Sequence, residues 1–404
     1  MHSFSGRDDF DVASLRPDQL AQIIDSNPTQ RLELFYGTWT PEQSVVLATR
    51  PYALNMTIRS FGERGFQFQD DGYAFVDAAR TQQTYFGSII IGGSPFCPAN
   101  LRHLFNYSTF EKIGISGLNG ENAVLPLAAK TNSLVYSVHA QYIRLEGFVA
   151  LDISAKDLDL KIDGADRSDW TRLLIPLMNR LAELGHMERL KLTSDYKIPM
   201  SDVRPFVDAL VHAVNSNSHL SHLDLSMIYW LMEFDILEAI LIAAEGHAGL
   251  RTLVIENDFF ATDKFDTWLE RVLSRNRNIT VLDARGKRIT NNAKIVALYQ
   301  LNRFYNGSAA LMKESALVRP LLVTTALAES ASSNFQRSGL LLSNHTDTMC
   351  ELLHELDRDT TAATARGFVP EDVVPSHSRQ RGSRRVKRAK GQSLRAKKAA
   401  RTYA

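Results

Sequence analysis

The chain has 404 residues, 44% hydrophobic and 23% charged, which places it among ordinary globular sequences and excludes a wholly disordered or collagen-like polymer. Its formal net charge of +1 hides a division, because residues 379–404 hold eleven Lys/Arg and no Asp/Glu, leaving 35 basic against 45 acidic residues before them. An acidic body with a strongly basic tail is predicted. Two cysteines, Cys97 and Cys350, allow one disulfide at most and suit a reduced, intracellular protein. The chain turns acidic at Asp8 and Asp9 where a secretion signal needs an apolar run, and its most apolar stretch, Ile236–Ala244, is far shorter than the roughly 18 residues of a membrane span. Neither secretion nor membrane insertion is expected.

In chain order, Leu15–Ile24 predicts one short helix within an N-terminal cap over residues 1–30. Strand candidates follow at irregular spacing: Leu32, Met56–Ile58, Phe86–Ile91, Phe110–Ile115 and Phe148–Ile153, with a helix over Gly72–Arg80. They read as early members of a repeat array; a separate mixed α/β domain over residues 1–140 is the alternative.

Regularity begins at Met187. Met187–Leu192, Leu220–Leu225, Leu250–Ile255 and Ile279–Ala284 share an apolar-x-x-apolar-x-apolar form, and alignment on Leu190, Leu223, Leu253 and Leu282 gives steps of 33, 30 and 29 residues. Between them lie apolar residues at helical spacing, such as Phe206, Val207, Leu210 and Val214, then Ile236, Leu237, Ile240 and Leu241, then Phe265, Trp268, Leu269, Val272 and Leu273. One strand and one helix cannot bury both of their apolar faces alone, so units must stack, with strands pairing into a parallel sheet and helices covering it. The fold class predicted over residues 31–290 is therefore an α/β curved solenoid, strands on the concave face and helices on the convex face. Polar turns at Asn215–Ser218, Glu245–Ala248 and Ser274–Asn278 end the helices. Beyond Leu282, helices over Ala293–Tyr305, Ala316–Ser332 and Leu340–Leu356 predict a C-terminal cap (291–356), with Pro320 starting or kinking the second. Residues 357–378 are poor in large apolar side chains and read as a linker, and 379–404 as a disordered tail.

These units resemble leucine-rich repeats of the long, ribonuclease-inhibitor-like type. The match rests on Leu190/Leu192, Leu223/Leu225, Leu253/Ile255 and Leu282, with Asn215, Asn217, Asn276 and Asn278 in the turns. It is degenerate: the asparagine usual shortly after the strand does not recur regularly, and Ser226 and Asn257 stand near that place. The whole chain is also similar to uncharacterised leucine-rich-repeat-like proteins of single-celled algae, notably around Arg285–Ile289 and Leu301–Asn306. That resemblance brings no activity with it.

Catalytic patterns fail for stated reasons. Gly286-Lys287 lacks the upstream glycine of a phosphate-cradling loop, and His354-Glu355 lacks a second histidine one helical turn on. Gly114–Gly117 does not space its glycines about Ser116 as a nucleophile elbow requires. His222 and His247 read as ordinary surface or turn residues. No cofactor, metal or small-molecule substrate is predicted, and the protein is read as non-enzymatic.

Binding has more support. Alternate strand residues face away from the core, and they form two columns: Thr57, Ile90, Gly114, Asp152, Lys191, Asp224, Val254 and Asp283, and beside them Asn55, Ser88, Lys112, Ala150, Arg189, His222, Thr252 and Val281. Asp152, Arg189, Lys191, His222, Asp224, Thr252 and Asp283 are the candidate partner-binding residues, on a mixed-charge surface suited to a protein partner. Tyr229 and Trp230 are candidates for an interface anchor or for core packing. In the tail, Arg384, Arg385, Lys387, Arg388 and Lys390, then Arg395, Lys397 and Lys398 after a spacer, resemble a bipartite nuclear-import signal and would also bind nucleic-acid phosphates in a salt-dependent way. The sequence thus predicts a protein-interaction scaffold, nuclear rather than cytoplasmic, whose tail meets an import receptor or a polyanion. A small-GTPase activator or a ubiquitin-ligase substrate receptor are the alternatives.

Overall fold

Alternation of apolar and polar residues, as in Asp157-Leu-Asp-Leu-Lys-Ile-Asp163, sends every second side chain to the same face of a strand. Stacking such strands at equivalent positions gives a sheet with one apolar face, and the amphipathic segments between them cover it. The computed structural model describes residues 2–4, 14–60, 65–83, 85–142, 148, 151–163, 170–194, 203–228, 234–256, 262–315, 318–331 and 334–354. Met1–His345 make up one unit; a second unit, Thr346–Ala404, is described over 346–354, which are helical.

The first unit opens with β1 (His2–Phe4), α1 (Pro17–Asp25), β2 (Leu32–Leu34), β3 (Thr38–Trp39), α2 (Pro41–Ala48), β4 (Met56–Ser60), β5 (Gln67–Phe68), α3 (Tyr73–Gln82), β6 (Tyr85–Gly93) and α4 (Pro98–Tyr107). There follow β7 (Thr109–Ser116), a 3₁₀ helix (Gly120–Ala128), β8 (Thr131–His139), β9 (Asp157–Asp163), α5 (Trp170–Leu184), β10 (Arg189–Ser194), α6 (Arg204–Ser216) and β11 (His222–Met227). The last elements are α7 (Phe234–Gly246), β12 (Thr252–Val254), α8 (Asp263–Arg275), β13 (Thr280–Leu282), α9 (Ala293–Leu311), α10 (Arg319–Ala331) and α11 (Phe335–Asn344). Among the described residues eleven strands form one parallel sheet in chain order, from β1 and β2 through β4 and β6 to β13, while β3 and β5 pair separately. Because β8 pairs with β9, from Ser133↔Asp157 to His139↔Asp163, residues on either side of position 140 share this sheet.

One continuous core lies between sheet and helices. Its first half is aromatic: Phe75 stacks on Phe86 at 5.6 Å and Phe86 on Phe110 at 5.4 Å. Its second half is aliphatic, with Leu158, Leu190, Leu223, Leu253 and Val281 side by side in register. The polar turns between units are buried and bonded. Asn217 Oδ1 accepts the Met187 N–H at 2.7 Å, and its Nδ2 donates to the Leu181 and Ala213 carbonyls at 3.0 and 2.7 Å. Asn276 Nδ2 donates to the Ala244 and His247 carbonyls at 3.0 and 2.9 Å. His247, in the intervening unit, accepts the Leu250 N–H at Nδ1 (2.9 Å) and meets the Asn217 carbonyl through Nε2 (3.0 Å), which assigns the proton to Nε2. These side chains close each helix and bond it to the preceding unit.

The last strand is closed off. Ile289 N–H donates to the Val281 carbonyl at 3.1 Å, and the Tyr299 hydroxyl accepts from the Val281 N–H at 3.2 Å and donates to its carbonyl at 3.3 Å. Burial pushes the Tyr299 hydroxyl up to about 12, so it stays protonated and serves both roles. Three helices follow. Their junction is held by buried His345, whose Nδ1 accepts from Arg319 Nε at 3.2 Å and whose Nε2 meets the Ser308 carbonyl at 3.0 Å.

Several expected elements differ. The strand expected over Phe148–Ile153 is absent from the described residues there: Phe148 and Leu151–Ala155 are irregular, and Phe148, Ile153 and Ala155 are buried in the core. β8 and β9 hold the sheet positions between β7 and β10 instead. The last repeat is one residue out of the expected frame, since Leu253 pairs with Val281 and not Leu282. The helix expected over Leu340–Leu356 is interrupted at His345, and Pro320 lies in the first turn of α10. The linker, the basic tail, Tyr229 and Trp230 lie outside the described residues.

Candidate functional site

The face of the sheet turned away from the helices carries the alternate strand residues, and pairing fixes their columns. One runs Ser88, Lys112, Ser133, Asp157, Arg189, His222, Thr252, Thr280. Beside it run Thr57, Ile90, Gly114, Val135, Asp159, Lys191, Asp224, Val254 and Leu282. Five of the seven predicted partner-binding residues, Arg189, Lys191, His222, Asp224 and Thr252, therefore stand together on three adjacent strands.

The other two do not. Asp152 is exposed in the loop before β9, off the sheet. Asp283 is buried, and its Oδ1 accepts the N–H groups of Arg285 and Lys287 at 3.0 and 2.7 Å, holding the turn that leaves β13. Its displacement follows from the one-residue slip, which sends a strand's side chains to the opposite face. Val281 of the predicted column faces the core, and Ala150 lies outside the described residues.

The sequence reading missed Asp157, Asp159, Lys161 and Asp163 on β9, although their period-2 pattern was open to it. They complete the charged part of the face. Lys191 Nζ lies 3.4 Å from Asp159, Arg189 Nε 3.9 Å from Asp157, and Lys161 Nζ 3.1 Å from Asp163, all partly exposed. Pairs of this exposure contribute about 0–1 kcal/mol each to stability, so they can be exchanged for charges on another molecule at small cost. Asp224 accepts from the Ser226 backbone N–H and hydroxyl at 3.0 and 2.7 Å, at a bulge where Thr193 pairs with Met227. Partial burial, opposed by Arg189, raises the Asp157 carboxyl above its ordinary range. Partial burial and the neighbouring Arg189 lower the His222 imidazole. His222 is thus neutral at pH 7.

The face has two halves. From β4 to β8 its middle column is Thr57, Ile90, Gly114 and Val135, uncharged throughout; from β9 to β11 it is Asp159, Lys191 and Asp224. A Cβ on Gly114 would lie 3.1 Å from Ile90, so this position suits glycine and keeps the uncharged column low. Among the described residues no group of three or more His, Cys, Asp or Glu is arranged to hold a metal ion, and no helix is long and apolar enough to cross a membrane.

Eleven parallel strands in chain order, joined by covering helices and in-register polar turns, define a strand-helix repeat solenoid of leucine-rich-repeat-like fold. No family model matches the chain, and no curated protein does so. Among solved structures it is similar to the leucine-rich repeat-containing protein LegL7 from Legionella pneumophila, at 13% identity and a TM-score of 0.40, over 71% of this chain and 95% of that one.

Proposed function

We propose that this protein is a non-enzymatic interaction scaffold that binds a protein partner on the open, concave face of its sheet. The observation that carries this is the in-register charged patch of Asp157, Asp159, Arg189, Lys191, His222 and Asp224 beside a half whose middle column, Thr57, Ile90, Gly114 and Val135, is uncharged. A partner offering an apolar area next to mixed charges matches both halves, and exchange of weak internal ion pairs favours recognition of complementary charge over mere adhesion. Thr252 extends the patch toward β12. The fold supports this reading because a long sheet face touches a large surface at many points. Units of 32, 33, 30 and 28 residues between Leu158, Leu190, Leu223, Leu253 and Val281 agree with the long, ribonuclease-inhibitor-like repeat type.

The basic clusters Arg384–Lys390 and Arg395–Lys398 add nuclear import, with polyanion binding as a second use of the same charges. The test is affinity purification with mass spectrometry of the full chain, a chain lacking residues 379–404, and a chain carrying Asp159→Lys with Lys191→Ala. A protein lost only from the last would be the sheet-face partner. If every co-purified protein remained on it, the sheet-face reading would be wrong. Nuclear accumulation that survives the tail deletion would refute the import signal.

A further inference from the structure

The three C-terminal helices leave a groove that the sheet-face reading does not use. Along α9, Gln300, Arg303, Phe304, Gly307 and Leu311 recur at steps of three and four, so they form one stripe on a single helix face. At 1.5 Å per residue that stripe is about 16 Å long. Ala326 of α10 and Arg337 and Leu341 of α11 complete the walls, and the groove holds about 500 Å³. At the middle of its floor a Cβ on Gly307 would meet nothing within 4 Å. Glycine inside a helix weakens it, and here it leaves room above the backbone.

The rim is cationic. Arg303 is exposed and makes no ion pair or hydrogen bond among the described residues; Arg337 lies over the Phe304 ring at 5.6 Å. Among the described residues no carboxylate lines the groove. Across α9, α10 and α11 the charged residues are Lys294, Arg303, Arg319 and Arg337 against Glu329 alone. The same helices leave Leu321 and Phe335 68% and 90% exposed, more apolar surface than a helix facing only water needs.

We propose that this groove docks an amphipathic helix of a partner protein, its apolar stripe seated on Phe304, Leu311 and Leu341 above Gly307, its flanking carboxylates paired with Arg303 and Arg337. A straight stripe three turns long on one helix is the geometry of helix-in-groove recognition. Two guanidiniums and no acid on the rim select an acidic helix over a basic one.

The test uses the full chain and two fluorescein-labelled, 16-residue amphipathic helical peptides, one of Leu and Glu, the other with Lys in place of Glu, read by fluorescence anisotropy. The Leu/Glu peptide should bind saturably and the Leu/Lys peptide should not. Arg303→Glu with Arg337→Glu should weaken binding at least tenfold, and Gly307→Leu should block it with far-ultraviolet circular dichroism unchanged. Arg189→Glu with Lys191→Glu on the sheet should leave it intact. Failure of the Leu/Glu peptide to bind, equal binding of both peptides, or full affinity in the arginine-reversed chain would overturn the proposal. None of these results bears on the sheet-face partner.

Discussion

Replacing Asn217 with alanine tests whether the buried turns bind the repeats to one another. In the intact protein Asn217 accepts the Met187 N–H at 2.7 Å and donates to the Leu181 and Ala213 carbonyls. The two carbonyls have second partners, because Leu181 also accepts from the Gly185 N–H and Ala213 from the Asn217 N–H, both at 3.2 Å. Their loss is therefore partial. The Met187 N–H has no such replacement, and an orphaned buried donor costs about 1–3 kcal/mol. A small void where the amide stood adds about 1 kcal/mol, giving about 2–4 kcal/mol in all. Urea unfolding followed by circular dichroism should show a midpoint lowered by about 1 M, taking a slope of about 3 kcal/mol/M, and hydrogen exchange should show the Met187 amide losing protection. Asn217→Asp should be no better, because it keeps the acceptor but sets a carboxylate against two carbonyl oxygens. A loss below about 1 kcal/mol with Met187 still protected would refute the account, since a solvated turn residue would behave that way.

Other outcomes follow from the same geometry. Asp283→Ala, which frees the N–H groups of Arg285 and Lys287, should cost about 1–2 kcal/mol in denaturant unfolding, whereas Asp152→Ala should stay within about 0.5 kcal/mol. Gly307→Ala should stabilise by about 0.5–1 kcal/mol, since it relieves a mid-helix glycine where the added methyl meets nothing, and it should raise the melting temperature by about 1 °C. His222 has a folded pKa below its ordinary 6.5, so the unfolded chain holds more protons in that window; stability should be full above about pH 6.5 and decline as pH falls through the folded value. Thermal melts of His222→Gln between pH 7 and 5 should lack that decline, and an identical pH profile would contradict the assignment. Asp157, with its raised pKa, acts in the opposite sense at lower pH, stability rising as the carboxyl takes up its proton.

Much of the architecture was legible because Leu190, Leu223 and Leu253 recur with matching flanks. Where the reading failed, it failed for physical reasons. Phe148, Ile153 and Ala155 are buried as expected of a strand, but a loop folded onto the core buries its apolar residues equally well, and apolar spacing alone does not separate the two. In β13, Val281 and Leu282 are both apolar, so either could be the inward residue; the shorter step from Ile279, and the Tyr299 hydroxyl waiting at Val281, decide it. The charged half of the face was found on β10 and β11 and missed on β9, whose lead-in residue before Leu158 is the small Ala155 where the later units carry Met187, Leu220, Leu250 and Ile279. Asn217, His247 and Asn276, spaced 30 and 29 residues apart, were visible as turn residues. Their work as bridges between units was not, because a histidine stands where two neighbours have asparagine and only the hydrogen bonds show the equivalence.

The closure of β13 also decides how many molecules share the sheet. A parallel array in chain order has an unlike edge at each end, β1 and β13, and one copy's last strand could in principle receive another copy's first, again and again. Such head-to-tail contact builds rings where the rotation closes and open fibres where it does not. At β13 that edge is covered from within: the Tyr299 hydroxyl takes the Val281 N–H, and the same hydroxyl shares the Val281 carbonyl with the Ile289 N–H, so the strand offers Val281 to no further strand. Tyr299→Phe would keep the ring and leave the Val281 N–H without its partner, while the Ile289 N–H still holds the carbonyl.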